Sequence, residues 1–285
     1  MSGAGGEPSI SDWSNAGAAY WEAVYEDPGI DGAVYRLRQR RVLEAFDRLA
    51  LPPDARVLEL GPGAGHVAVE LARRGHRVVC ADPAEAMLRN TGARAAAHGL
   101  GDRVETVVAD AQSLPFPDAG FAAVVAVGVL PWLERPGEAL RELRRVLVPG
   151  GSAVLTSDNR ARLTFVLDPR LNPLAVDAAK HADALLVRRL GARSRRRAET
   201  LPRRYDNAAV DRMLAAAGLV KRSGTSVGFG PFSLLRRPAL PAGWAVPVHE
   251  RLQRIADAGV PGVRGGGAHY VVVADRPGQM IDSTA

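Results

Sequence analysis

Val57-Leu58-Glu59-Leu60-Gly61-Pro62-Gly63-Ala64-Gly65 is the stretch whose reading decides the fold. An apolar strand carries an acid near its end, and a glycine-dense turn follows at once. Behind the turn, His66-Val67-Ala68-Val69-Glu70-Leu71-Ala72-Arg73-Arg74 has its apolar residues at helical spacing. A strand, a tight turn and a helix start bring bare backbone amides and a helix N-terminus up to a ligand. The glycine spacing narrows the choice of ligand. A dinucleotide-binding turn reads G-x-G-x-x-G, whereas Gly61, Gly63 and Gly65 read G-x-G-x-G and His66 takes the place of the third dinucleotide glycine. A nicotinamide dehydrogenase is therefore the weaker reading.

Working outward, strands and helices alternate at short intervals from Arg56 to Ser157. Strands are expected at Arg56–Leu60, Arg77–Ala81, Val104–Val108, Ala122–Val127 and Ser152–Thr156, and helices near 66–74, 84–98 and 136–146. That order implies a parallel sheet covered on both faces. Upstream, residues 11–50 read as helical, with Tyr20, Trp21, Tyr25 and Tyr35 spread along them, until Leu51-Pro52-Pro53-Asp54 breaks the chain. After Asp158 the regularity fails. Pro169, Pro173 and Pro202 surround a helical patch at Leu174–Leu190. A helix follows at Asp206–Ala217, and strands at Lys221–Gly230 and Tyr270–Ala274 are separated by a proline- and glycine-rich insertion in which Val248–Ala256 reads as a helix. The chain thus divides into a helical lid (1–50), a ligand-binding core (51–158), a cap insertion with a basic segment (159–205), and a C-terminal part (206–285) that completes the sheet and carries a second insertion (231–267).

The motif Val57–Gly65, together with the acids and turns downstream of it, resembles the class I S-adenosylmethionine-dependent methyltransferases, of the methyltransferase type 11-like kind. The resemblance implies a Rossmann-like α/β three-layer sandwich with a seven-stranded, mostly parallel sheet, an antiparallel last strand and cap insertions. It also implies S-adenosyl-L-methionine as cofactor and S-adenosyl-L-homocysteine as product. In that family Glu59 bears on the ligand's amino-acid end, and the turn Gly61, Gly63, Gly65 wraps methionine and ribose. Asp82, in V-V-C-A-D-P-A-E-A-M-L, would take both ribose hydroxyls, because a carboxylate accepts two hydrogen bonds at once. Met87 would lie against the adenine, and Asp110 and Ala111, in V-V-A-D-A-Q, would meet its edge. The run L-P-F-P-D-A-G-F-A-A-V-V-A-V-G-V-L-P-W-L matches the family's fourth strand and places Val127 at the cofactor; R-V-L-V-P-G-G matches the approach to the fifth. Taken only as residues, Asp82 also suits a helix cap before Pro83, Met87 a core position, and Asp110 a turn. Many relatives carry Phe-Asp where this chain has Phe121-Ala122, a departure at the structural start of a strand.

A sulfonium methyl is already electrophilic, so the protein's task is to hold a nucleophile in line and exclude water. Such positioning can supply roughly 7–11 kcal/mol. A general base is needed only where the nucleophile must lose a proton; His249 and His269 are the candidates. Trp132, after the fourth strand, reads as a wall of the acceptor pocket or as core. Asn159 and Arg160 leave the fifth strand's carboxyl edge, where α/β ligands bind. Tyr20, Trp21 and Tyr25 read as a cover over the cofactor or as an ordinary amphipathic face, and Arg38 and Arg40 are within reach of a ligand carboxylate. The expected reaction is methyl transfer to an O or N nucleophile of a small molecule, in specialised metabolism. An RNA- or tRNA-modifying enzyme and a non-methylating member of the fold are the alternatives.

Composition sets the remaining bounds. A hydrophobic fraction of 47% over 285 residues supports a sizeable core. Cys80 is the single cysteine and lies in an apolar run, which suits a buried structural thiol and rules out an internal disulfide. The N-terminus lacks a basic start followed by an apolar core. The longest apolar run, Phe121 to Leu133, falls short of the roughly 20 residues a membrane helix needs. A cytoplasmic protein with no metal site is expected, its oligomeric state left open. The formal charge of +6 is concentrated in arginines between 188 and 204, a solvated basic loop or a contact for an anionic partner such as RNA.

Overall fold

The computed structural model describes residues 20–190, 202–235 and 237–278. Its strands are β1 (Arg56–Leu60), β2 (Arg77–Asp82), β3 (Val104–Val108), β4 (Phe121–Ala126), β5 (Leu147–Asp158), β6 (Val220–Val227), β7 (Ser233–Leu234), β8 (Arg237–Pro238) and β9 (His269–Asp275). Seven of them form one sheet in the order β3-β2-β1-β4-β5-β9-β6, and β7 and β8 make a hairpin apart from it. Strands β1 to β5 pair in parallel. Strand β9 inserts between β5 and β6 and runs antiparallel to both. The expected seven-stranded, mostly parallel sandwich with an antiparallel last strand is the observed one.

Central strands are near-continuous apolar runs because helices cover both faces. On one face, Val57, Val78, Cys80, Ala123, Val125 and Val154 pack with α1 (Ile30–Asp47), α2 (His66–Arg73) and α3 (Glu85–Ala97). On the other, Leu58, Val79, Val124 and Leu155 pack with α4 (Pro136–Val146) and α7 (Asn207–Ala216). Helix α1 is built into the sandwich: Val34, Leu37, Val42 and Phe46 are buried. Phe46 also meets the His76 ring edge-on at 5.3 Å, and truncating it to alanine would cost about 3–5 kcal/mol. The cover over the site is left to the segment just before α1.

Element boundaries differ from expectation in several places. Strand β2 runs one residue past Ala81 and ends on Asp82. Strand β5 begins earlier, where Leu147 pairs with Phe121 ahead of a register shift. In the second insertion, helix α8 (Ala242–Asp257) starts before the expected Val248 and runs through Pro247; the proline costs one hydrogen bond there and the helix survives by packing on α1. Helices α5 (Leu163–Val166) and α6 (Pro173–Leu190) lie in the segment that follows β5. No helix among the described residues is long and apolar enough to cross a membrane.

Candidate active site

At the carboxyl ends of β1, β2 and β4 a cleft, partly open to solvent, runs under Trp21, Tyr25 and Arg38. Glu59, Gly61, Gly63, Asp82, Met87, Asp110, Ala111, Val127 and Trp132 all line it, so residues far apart in sequence come together at one place. The turn after β1 is shaped for a close approach. At Gly61 (φ +61°) a Cβ would lie 2.6 Å from Val129 Cγ2, whereas at Gly63 (φ +58°) it would meet no protein atom within 4 Å and would project into free space. Gly65 is different: it does not line the cleft, and a Cβ there would lie 2.8 Å from Thr91 Cα. Its absent side chain lets α3 pack against the turn. From α3, Thr91 Oγ1 donates to the Gly63 carbonyl at 3.3 Å and Arg94 Nε to the Ala64 carbonyl at 2.6 Å, which fixes the loop's orientation.

Three carboxyl groups face this space in different states. Glu59 is 1% exposed, with the Cys80 thiol donating to Oε2 at 3.8 Å. Burial pushes its pKa up to about 8, since an ion without a partner is costly in a low-dielectric interior. Asp82 is also buried and is pushed up to about 6 by the same cause, opposed by the Ala84 N–H that donates to Oδ1 at 2.7 Å. That bond closes a local turn before α3, whose N-cap is Ala84, and Oδ2 remains on the Gly61 side. Asp110 is exposed and accepts hydrogen bonds from the Gln112 backbone and amide at 2.8–3.2 Å.

The cover brings a cation and an imidazole. Arg38 on α1 is 4% exposed and reaches Tyr25 Oη from Nη2 at 3.4 Å. Its guanidinium carbon lies 4.5 Å from the Tyr35 ring centre, and its Nε is buried with no hydrogen-bond partner. Among the described residues it has no ion pair within 4.0 Å. His66, the first residue of α2, stacks under Tyr25 at 4.6 Å between ring centres. Its Nε2 is also buried and unpartnered, and burial, with Arg94 nearby, holds its pKa below the usual imidazole value. Sequence reasoning noted His66 only as a missing glycine; an imidazole one residue past the glycine turn, on a helix N-terminus, was the signal.

Other expected site residues lie elsewhere. Asn159 is buried and staples the second insertion: Nδ2 donates to the Gly265 and Gly267 carbonyls at 2.8 Å each, and Oδ1 accepts from the Ala161 N–H. Arg160 pairs with Asp177 and so ties α6 to the end of β5. His249 is buried on α8, away from the cleft, with Nδ1 accepting the Phe229 N–H at 3.0 Å; this commits it to the backbone and corrects its candidacy as a base. His269 is buried at the start of β9, with Nδ1 3.1 Å from Asp158 Oδ1, so it too is outside the cleft lining, one layer behind Arg38. Tyr20 is 53% exposed and packs edge-on against Trp21; its neighbours Trp21 and Tyr25, not Tyr20, form the cover. Arg40 points to Glu44 at the surface. Most of the arginine segment falls outside the described residues. Among the described residues, no cluster of three metal-ligating side chains occurs.

Residues 58–155 match the family model described as a methyltransferase domain. The chain is 36% identical over 141 residues to the malonyl-[acyl-carrier protein] O-methyltransferase of Methylococcus capsulatus, covering 48% of this chain and 49% of that protein. It is 35% identical over 125 residues to the ubiquinone/menaquinone biosynthesis C-methyltransferase UbiE of Ectopseudomonas oleovorans, covering 43% of this chain and 72% of that sequence. The chain spans about half the length of the first curated relatives it matches. A solved SAM-dependent methyltransferase from Aquifex aeolicus has the same fold, with a TM-score of 0.54 at 15% identity over 91% of this chain and 98% of that one. With the motif order, the sheet order and these relatives in agreement, the chain belongs to the class I S-adenosylmethionine-dependent methyltransferases.

Proposed function

We propose that the cleft binds S-adenosylmethionine and that the protein transfers its methyl group to an oxygen or nitrogen nucleophile of a small molecule. The observation that carries this reading is Asp82: a buried carboxylate at the end of β2 with one oxygen spent on Ala84 and the other on the Gly61 side of the cleft. Its neighbours fit the rest of such a ligand. The free space at Gly63 is the room a bound group needs against the turn. Glu59 is a buried acid with no cation beside it, suited to an ammonium. Arg38 is a buried cation with an orphaned Nε, suited to a carboxylate. Asp110 and Ala111 line the same cleft and would meet an adenine edge, with Met87 and Val127 as apolar walls.

When bound, S-adenosylmethionine supplies an electrophilic methyl on a sulfonium. The chain's own residues then have three tasks. Asp82, Glu59 and Arg38 fix the ligand at both ends. Trp21, Tyr25 and Trp132 keep water from the space where attack takes place. His66, neutral near pH 7 by its depressed pKa, is the imidazole of the cleft wall able to accept a proton from an acceptor that must lose one.

Calorimetric titration with S-adenosylhomocysteine, with NAD as control, tests the proposal. Micromolar binding of the first alone is expected, with a loss of about tenfold or more in Asp82→Ala as a charged, two-acceptor contact disappears. Equal affinity in a folded Asp82→Ala protein would remove the ribose assignment. Binding without S-adenosylhomocysteine release across a broad acceptor panel would mark a non-methylating member of the fold.

A further inference from the structure

Next to Arg38, the carboxyl end of β5 and the amino end of β9 carry a second polar cluster. Arg162, four residues after β5, is half-buried, with its guanidinium carbon 3.5 Å from the Phe165 ring centre. Its Nε is buried without a hydrogen-bond partner, and among the described residues it has no ion pair within 4.0 Å. Arg204, from the far end of the cap segment, lies over the same ring at 5.2 Å and is exposed to solvent. Two like charges are thus gathered at one phenyl ring, and burial with the repulsion from Arg204 holds the Arg162 pKa down to about 10.

The nearby acids do not neutralise them. Asp158 is engaged by His269 and lies in the fields of both Arg38 and Arg162. Asp31, in the first turn of α1, is the other carboxylate that Arg162 feels. His269 is held toward its neutral form by burial. Among the described residues neither acid lies within ion-pair distance of Arg162 or Arg204; Asp158 pairs with His269 instead. The cluster borders the cleft in two ways. Arg38 is shared between them. The Arg203 N–H donates to the Pro131 carbonyl at 2.7 Å, which brings the chain carrying Arg204 past the residue next to Trp132.

We propose that Arg162 and Arg204 hold an oxyanion, carboxylate or phosphate, borne by the acceptor molecule; that the bearer is a methyl acceptor rests on the function proposed above, but the anion site itself does not. The guanidinium fork matches the planar or tetrahedral oxygens of such a group and gives charge-assisted bonds.

Benzoate and phenyl phosphate serve as probes, titrated into the full-length protein with and without saturating S-adenosylhomocysteine. Saturable binding of at least one is expected, and the stronger of the two tells carboxylate from phosphate. R162M and R204M should each weaken it by about tenfold or more, and R162K should restore only part. S-adenosylhomocysteine affinity should stay within about twofold, as neither arginine lines its cleft. Since Arg204 is exposed, R204M keeps the test open should R162M fold poorly. Absence of binding of both probes to the S-adenosylhomocysteine-loaded protein, or wild-type affinity in both variants, would overturn the proposal. Arginine-dependent probe binding by a protein that ignores S-adenosylhomocysteine would leave the anion site standing and remove the methyl-transfer reading.

Discussion

Replacing Glu59 by glutamine separates what the cleft needs from what the fold tolerates. In the folded protein the carboxyl has its pKa raised to about 8, against roughly 4.3 in an unfolded chain. Between those values the native state holds a proton that the unfolded state has released. This acid therefore favours folding most below about pH 4, and the contribution is lost as pH rises through about 8. Linkage puts the slope near 1.4 kcal/mol per pH unit, so the wild type should lose about 2–3 kcal/mol from this residue between pH 5.5 and 7.5. Glu59→Gln does not titrate and lacks that slope, while other groups contribute equally to both proteins. Urea denaturation of the two at pH 5.5, 6.5 and 7.5 isolates the difference. The variant should gain on the wild type across the series, yet bind S-adenosylhomocysteine about tenfold or more weakly at pH 8.5, where an ionised Glu59 can meet the ligand ammonium. Binding to the wild type at pH 7 should release a proton, seen as calorimetric heat that depends on the buffer's ionisation enthalpy. Stability differences that stay constant with pH would refute the buried, protonated Glu59.

Other perturbations have defined outcomes. Gly63→Val should fold with reduced stability, since a Cβ there meets no neighbouring group but valine is strained at φ +58°, and should abolish S-adenosylhomocysteine binding in calorimetry; normal binding would remove the turn from the site. Arg38→Met should weaken S-adenosylhomocysteine by about tenfold while adenosine, which lacks the amino-acid end, binds unchanged; equal losses for both would mean that Arg38 only supports the wall. His249→Ala should cost about 1–3 kcal/mol in urea denaturation, because the Phe229 N–H loses its buried acceptor, with S-adenosylhomocysteine affinity unaffected.

The core was legible because its information is local. Apolar strand runs, the glycine turn and the acids at strand ends are all written within a few residues of one another, and a parallel sheet covered on both faces leaves few ways to arrange them. The cap residues were not, because their partners are remote. Asn159 looked like a pocket residue until Gly265 and Gly267, distant in the chain, arrived to take its amide. His269 became a partner of Asp158 through antiparallel register alone: β5 and β9 place the two opposite each other. Pro247 concealed the first half of α8, and with it the burial of His249. Gly65 was legible as part of a motif, but its role belongs to the α3 packing and not to the cleft wall.

Cys80 is a buried structural thiol, yet its position under Glu59 gives it a second use. Its S–H group donates to the carboxyl that faces the ligand, and no other cysteine exists in the chain. Infrared spectra should therefore contain a single protein sulfhydryl stretch, in a window free of other protein bands. Its frequency will respond to whether Glu59 is a carboxylic acid or a carboxylate, so occupancy and protonation at the floor of the cleft can be followed together, in unmodified protein, by the vibration of one bond.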